Sequence, residues 1–237
     1  MFTTSTWGFV MEQPLVSLIA ASTAFVGLHF ALSHPLRAPL VSRIGENGFL
    51  GLYSLLSLAA FAWMILAFRE VGPGGSPLWN GMGEVMWIIA TVVMFFASVL
   101  LVGSYVRNPA MPGPKAAALA AQAPHGVFHI TRHPMMWSFA LWAAIHIMLS
   151  PTPRQLVLAG SLGFLALVGA HMQDRKKEQL MGEAWKGWEA QTSYWPRLGS
   201  FARAGTTAWI GGTLIWLAAS YAHIHANGIP AGIFRWM

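Results

Sequence analysis

The chain has 237 residues, 55% of them hydrophobic and only 9% charged, with a formal net charge of +6. A soluble domain carries about 25% charged residues, so this composition excludes an ordinary water-facing surface and points to lipid as the solvent. The absence of cysteine excludes disulfides, iron–sulfur clusters, thiolate haem ligation and cysteine zinc sites, leaving His, Met, Tyr, carboxylates and backbone as metal ligands.

Six apolar segments follow in chain order: residues 14–33, 49–68, 85–105, 135–150, 156–172 and 207–225. A membrane span needs about 20 residues, so the fourth and fifth are short. Pro151, Thr152, Pro153 and Arg154 between them read as the tight turn of a helical hairpin. The first eleven residues hold no Lys or Arg, so the basic region of a cleavable signal is missing and the first apolar run is expected to be a membrane helix. The expected fold is all-α: a polytopic integral membrane bundle of about six transmembrane helices, forming a single domain over residues 1–237.

Charge gives the bundle an orientation. Arg37, Arg43, Arg107, Lys115, Arg132, Arg175, Lys176, Lys177, Lys186, Arg197 and Arg203 fall in the first, third and fifth connections. The opposite side holds only Arg69, Arg154 and Arg235. Positive residues collect on the cytoplasmic side, so both termini are expected outside it, periplasmic in a multi-pass protein of a bacterial inner membrane. The same placement assigns the high pI of about 10.2 to anionic lipid and not to nucleic acid, since no basic helix or RNA-binding aromatic motif accompanies it.

Two further elements are expected at that face. Residues 174–195 place Leu180, Ala184, Trp185 and Trp188 at helical spacing, which predicts an amphipathic surface helix with its tryptophans at headgroup depth. Residues 115–123 predict a second, shorter surface helix.

Polar groups inside a membrane are costly and are functional candidates by default. His29, His146 and His171 fall within expected spans, where a neutral imidazole either ligates a metal or bonds a neighbouring helix. His34, His125 and His129 lie in connections, and His223 and His225 at the outer end of the last helix, where interfacial anchoring is the expected role. Arg132 and His133 precede Pro134, well placed at a helix start, and form either a cradle for an anionic group or a plain positive anchor. Asp174 either orients Arg132 or His133 across the cytoplasmic mouth or is simply solvated, and Glu46 is placed to pair with Arg37 or Arg43. No phosphate-binding glycine loop, nucleophile elbow or paired intramembrane carboxylates occur.

His29 to Arg37 with Ser33, His34 and Pro35, then Gly45 and Glu46, Leu52 to Leu55, and Ile130 to Pro134 with Trp137, Trp142 and His146, resemble the NnrU family over residues 15–197. That family comprises bacterial membrane proteins linked to nitrite and nitric oxide reduction, and is similar in turn to plant 15-cis-ζ-carotene isomerase, a haem b protein. The resemblance implies haem b ligated by His29 and His146, its propionates held by Arg37, Arg132 and His133, and redox or cis–trans isomerase chemistry on a lipidic, carotenoid-like substrate. The isomerase has a cysteine three residues before its second ligand; here that position is Ala143, which removes a thiol switch.

Depth adds a constraint. At about 1.5 Å per residue from the cytoplasmic ends, His29 lies about 7 Å deep and His146 about 18 Å. His171 is level with His29, and so competes as the second ligand, whereas His146 is level with His223. The competing functions are an S-adenosylmethionine-dependent membrane methyltransferase, more distantly resembled through Arg132, His133, Pro134, Glu183, Trp185 and Trp188, and a non-enzymatic accessory of a respiratory complex.

Overall fold

A computed structural model describes residues 13–73 and 75–237. The extreme N-terminus, expected to be periplasmic and to lack a cleavable signal, falls outside the described residues. Helices dominate and no strand occurs among the described residues: α1 (Gln13–Ser33), α2 (Arg37–Glu70), α3 (Glu84–Gly103), α4 (Ala116–Ala120), α5 (Pro134–Leu149), α6 (Pro153–Met181), α7 (Glu183–Gln191) and α8 (Thr206–Asn227), with short 3-10 turns at Gly126–His129, Leu198–Arg203 and Gly232–Trp236. Each of the six expected spans corresponds to one helix. Helices suit these runs because in lipid every peptide group must find its partner inside its own segment.

Four helices, α1, α2, α3 and α6, are long and apolar enough to cross a membrane, and α5 is apolar but has only 16 residues. The 22 residues of α8 reach about 33 Å, enough for the hydrocarbon layer. This is a multi-pass helical membrane protein.

Helix boundaries depart from expectation on the charged side. The connection expected over residues 34–48 is mostly helical: α2 starts at Arg37 and is broken only at Gly45, with φ 73° and ψ 169°. A Cβ at Gly45 would meet nothing within 4 Å, so the backbone angle itself calls for glycine there. Likewise α6 runs past residue 172 to Met181, since Arg, Lys, Glu, Gln, Leu and Met all favour helix and no breaker intervenes before Gly182 at φ 53°.

The chain forms two compact units. In the first, α1 packs on α2, joined by residues 152–161. Leu18, Ala21, Ser22, Phe25 and Leu32 form the buried stripe of α1, at helical spacing, while α2 buries Phe49, Ala60, Met64 and Ala67. Arg154 lies over the Phe68 ring, 4.6 Å from its centroid.

The second unit comprises residues 77–151 and 162–237, and within it α3 packs against both α5 and α8. Glycine makes this approach possible. A Cβ on Gly212 would lie 2.6 Å from the Cα of Val99, and one on Gly211 would lie 2.7 Å from Cγ1 of Val102. Small residues drive membrane helices together in this way, because lipid offers no hydrophobic force between them.

The surface helix expected over residues 174–195 is corrected. It is two elements, the end of α6 and the separate α7, divided at Gly182. Trp185 and Trp188 are 0% exposed, packed with Phe128, Ile130, Val99 and Leu100 in the core of the second unit. The Trp188 ring meets Phe128 edge-on at 5.4 Å. Because α7 packs against α4, protein and not headgroups covers these rings. The second expected surface helix exists as α4, with Ala120 buried.

Candidate functional site

Two polar constellations occur in the second unit, one at each end of α5. At the N-terminal end, Pro134 occupies the first turn, and the backbone N–H of His133 donates to Thr131 Oγ1 at 3.2 Å. The segment before it is laced to residues 193–197: Arg132 N–H donates to the Ser193 carbonyl at 2.8 Å, Thr131 Oγ1 to the Tyr194 carbonyl at 2.7 Å, and Arg197 N–H to the Ile130 carbonyl at 2.9 Å. Trp137 Nε1 also donates to the Tyr194 carbonyl, at 2.9 Å.

This frame aims Arg132 at acids. Its Nε donates to Asp174 at 3.1 and 3.0 Å, its Nη2 to the same carboxylate at 2.7 Å, and Glu189 lies 3.4 Å away. His133, whose side chain is 0% exposed, sets Nε2 2.9 Å from Asp174 Oδ1, off the axis of a linear hydrogen bond, and Nδ1 3.3 Å from Gln173 Oε1. Tyr194 closes the cluster, its ring 5.4 Å from the Arg132 guanidinium. Burial first, then the nearby Asp174 carboxylate, pushes the Glu189 carboxyl above its ordinary value, against the pull of Arg132. The adjoining cavity, lined by Asn108, Met111, Arg132, His133, Met135 and Gln173, is only about 30 Å³, the share of one water.

At the other end of α5, His146 Nδ1 lies 2.8 Å from the Trp142 carbonyl, and Trp142 stacks on the imidazole at 4.1 Å. A carbonyl only accepts, so Nδ1 carries the proton and Nε2 keeps its lone pair. His223 on α8 repeats the pattern, with Nδ1 2.7 Å from the Ala219 carbonyl, and its ring centroid is 6.2 Å from that of His146.

In the first unit, His29 follows the same rule: Nδ1 lies 2.7 Å from the Phe25 carbonyl, with the ring packed against Phe25 at 4.3 Å and Tyr53 at 5.5 Å. Arg37 donates from Nη2 to both oxygens of Glu46, at 2.8 and 3.0 Å, and lies over Phe49. The break at Gly45 sits immediately before that acid. His171 is exposed on α6. His125 hydrogen-bonds the Val106 carbonyl at 3.1 Å, and burial, followed by Arg203 and His125, lowers the pKa of His129.

Sequence reasoning reached Asp174 as an orienter of Arg132 and His133, and Glu46 as a partner of Arg37. It passed over Glu189 and Tyr194, which reach the cluster only through tertiary packing. It also placed His223 with His225 as interfacial anchors. The structure separates them: His223 lies beside His146, whereas His225 is exposed against Tyr221 at 4.9 Å. The equal depth of His146 and His223 was the available signal.

These features define a helical membrane protein with backbone-anchored imidazoles in its spans and a closed ionic cluster at one end. The description NnrU protein matches residues 17–231, and the chain belongs to that family. The match takes in α8, beyond the motif-bearing stretch that ends near residue 197. The chain is 28% identical over 194 residues to the chloroplastic 15-cis-zeta-carotene isomerase of Arabidopsis thaliana, covering 79% of this chain and 51% of that protein. It is 24% identical to the Zea mays protein of the same name over the same shares. The chain thus spans about half the length of the curated relatives it matches. No solved structure matches.

Proposed function

We propose that this chain is a membrane-embedded, isomerase-like enzyme that acts on a long apolar polyene and carries haem b. The observation that carries the reading is His146: an imidazole inside an apolar helix, its tautomer fixed by the Trp142 carbonyl, with Nε2 left as a donor. That is the arrangement in which metal-ligating histidines are held, the second ring nitrogen tied to an acceptor. The donor set therefore fits a haem iron, which accepts axial imidazole. The resemblance names His29 as the other ligand, and its ring is anchored in the same manner.

The protein's own contribution is positional. The Trp142 carbonyl and indole fix the His146 ring, and apolar surfaces exposed on the helices, such as Phe139 on α5 and Phe164 on α6, suit a substrate that arrives through lipid. Haem b at such an imidazole supplies one-electron chemistry, which suits double-bond rotation in a conjugated chain.

The resemblance also offers Arg37, Arg132 and His133 as propionate partners. Arg37 is engaged by Glu46, and Arg132 by Asp174 and Glu189. Arg132 precedes His146 by 14 residues, about 20 Å of helix, so its cluster serves to close the end of the bundle.

The test is the absorption spectrum of the detergent-purified full chain from haem-sufficient cells. A Soret band and about one haem b per chain are expected, with conversion of a cis-polyene in proteoliposomes. Addition of nitric oxide to the reduced protein then reports on the nitrogen-oxide role that the family resemblance suggests. A colourless preparation overturns the haem reading, and a haem-loaded protein inert toward cis-polyenes overturns the isomerase reading.

A further inference from the structure

Tyr53 on α2 packs against His29, and nothing proposed so far uses it. The His29 imidazole takes one aromatic contact from its own helix and one from the facing helix. Phe25 on α1 lies 4.3 Å away, tilted at 52°, and Tyr53 lies 5.5 Å away and nearly perpendicular, at 79°. The Nδ1 proton goes to the Phe25 carbonyl at 2.7 Å, which sets the tautomer and leaves Nε2 its lone pair. That bond does not set the ring plane, because the second side-chain torsion of histidine is broad and weakly held. A neighbour that is itself fixed has to do so.

Tyr53 is fixed at both ends. Its hydroxyl reaches the side chain of Ser33, one turn beyond His29 on α1. Its ring lies 6.0 Å from that of Phe49, which is buried and carries the Arg37 guanidinium over its face at 5.6 Å. Phe25, His29 and Ser33 recur every four residues, so they share one face of α1. Tyr53 thus spans two successive positions of that face. Contacts that orient a ligating histidine typically matter by about 10–100-fold in metal affinity.

We propose that Tyr53 is the positioning residue of His29: braced on Ser33, it holds the plane of the imidazole. The geometry belongs to α1 and α2 alone, while its consequence for haem rests on the reading above. The plane of an axial imidazole governs its overlap with the iron d orbitals, so a loosened ring shows in the EPR g values of oxidised low-spin haem.

The experiment uses the full chain in detergent, as wild type and as Tyr53→Phe, Tyr53→Leu, Ser33→Ala, Ser33→Thr and Met64→Ala. Met64 is a fully buried residue of α2, eleven positions or about 16 Å of helix from Tyr53. If haem is present, Y53L is expected to shift the g values and to lose haem to apomyoglobin about tenfold faster. Y53F and S33A are expected to shift the g values in the same sense by less, and the double variant no further than either. S33T, which keeps the hydroxyl, is expected to match wild type, and M64A to melt earlier with wild-type g values. If the protein is colourless, nitrogen-15 spectra of labelled histidine, assigned with His29→Leu, read the ring directly. One Nδ1-protonated tautomer is expected in wild type, and averaging between tautomers in Y53F and Y53L.

Averaging in a colourless protein removes the haem reading and leaves the proposal standing. Wild-type g values in Y53F and S33A overturn the proposal, whether or not Y53L folds, as does an unaveraged His29 ring in the colourless Y53F and Y53L. Shifted g values in M64A also overturn it, since they would then report general packing of α2.

Discussion

The guanidinium of Arg132 grips the Asp174 carboxylate through both Nε and Nη2, with only 14% and 9% of the two side chains exposed. Asp174 Oδ1 also lies 2.9 Å from His133 Nε2, so one carboxylate sits beside two side chains of the segment that opens α5. Removing one partner of a buried pair leaves the other uncompensated, at a cost of about 3–5 kcal/mol. Asp174→Asn is expected to lose about 3 kcal/mol, at the low end because both groups keep some solvent contact, and thermal unfolding in detergent measures it. Replacing the pair together, Arg132→Met with Asp174→Leu, is expected to recover most of that loss.

Trp188 has no headgroup to reach. Its ring is fully enclosed with Phe128, so Trp188→Ala opens a cavity that costs about 3–5 kcal/mol. A surface anchor would behave otherwise, with little change in melting temperature and a weaker partition into vesicles. Thermal unfolding and quenching of tryptophan emission by lipid-borne quenchers separate the two: the emission of Trp188 is expected to stay blue and unquenched.

The contact between α3 and α8 depends on the absence of a side chain at Gly212. A valine there drives Cβ into the backbone of Val99, where a Cβ already stands 2.6 Å from the Cα. Overpacking usually costs about 1–3 kcal/mol, and a backbone neighbour that cannot rotate away places this site at the upper end. Gly212→Val is expected to lower the melting temperature, whereas Gly160→Ala, with open space around its Cβ, is expected to leave it unchanged.

Much of the fold is readable in the residues because lipid imposes a simple demand, that each span satisfy its own backbone. The runs that became α1, α3 and α5 agree with their helices to within two residues at each end. The demand fades outside the apolar layer, and there the reading failed. Nothing local at Arg37 reveals that α2 begins twelve residues before its apolar run, and nothing in the spacing of Trp185 and Trp188 tells a lipid-facing stripe from a protein-facing one. The ionic cluster was half legible. Asp174 lies just past an apolar run opposite a basic start, whereas Glu189 and Tyr194 arrive through the fold of α7 and the segment after it. His223 shows the same limit: its helical position is plain, but the ring beside it belongs to another helix.

The uneven basic residues predict an orientation that fusions can read. Alkaline phosphatase joined after Met237 is expected to be active, and the same enzyme joined after Gly205 inactive, if the C-terminus is periplasmic and the connection before α8 cytoplasmic. Activity in the reverse pattern would invert the topology.

Glu189 supplies a pH dependence. Its carboxyl is raised in the folded protein, chiefly by burial and then by Asp174, so folding favours its protonated form. A group with a raised folded pKa contributes stability that is complete below its unfolded value and lost as pH rises through the folded one. Glu189→Gln removes that titration and keeps the shape. The melting temperature of the glutamine variant, relative to wild type, is therefore expected to rise as pH climbs through the carboxylate range. A difference that stays flat across that range, or falls, would mean that the attraction of Arg132 at 3.4 Å outweighs burial at this carboxylate.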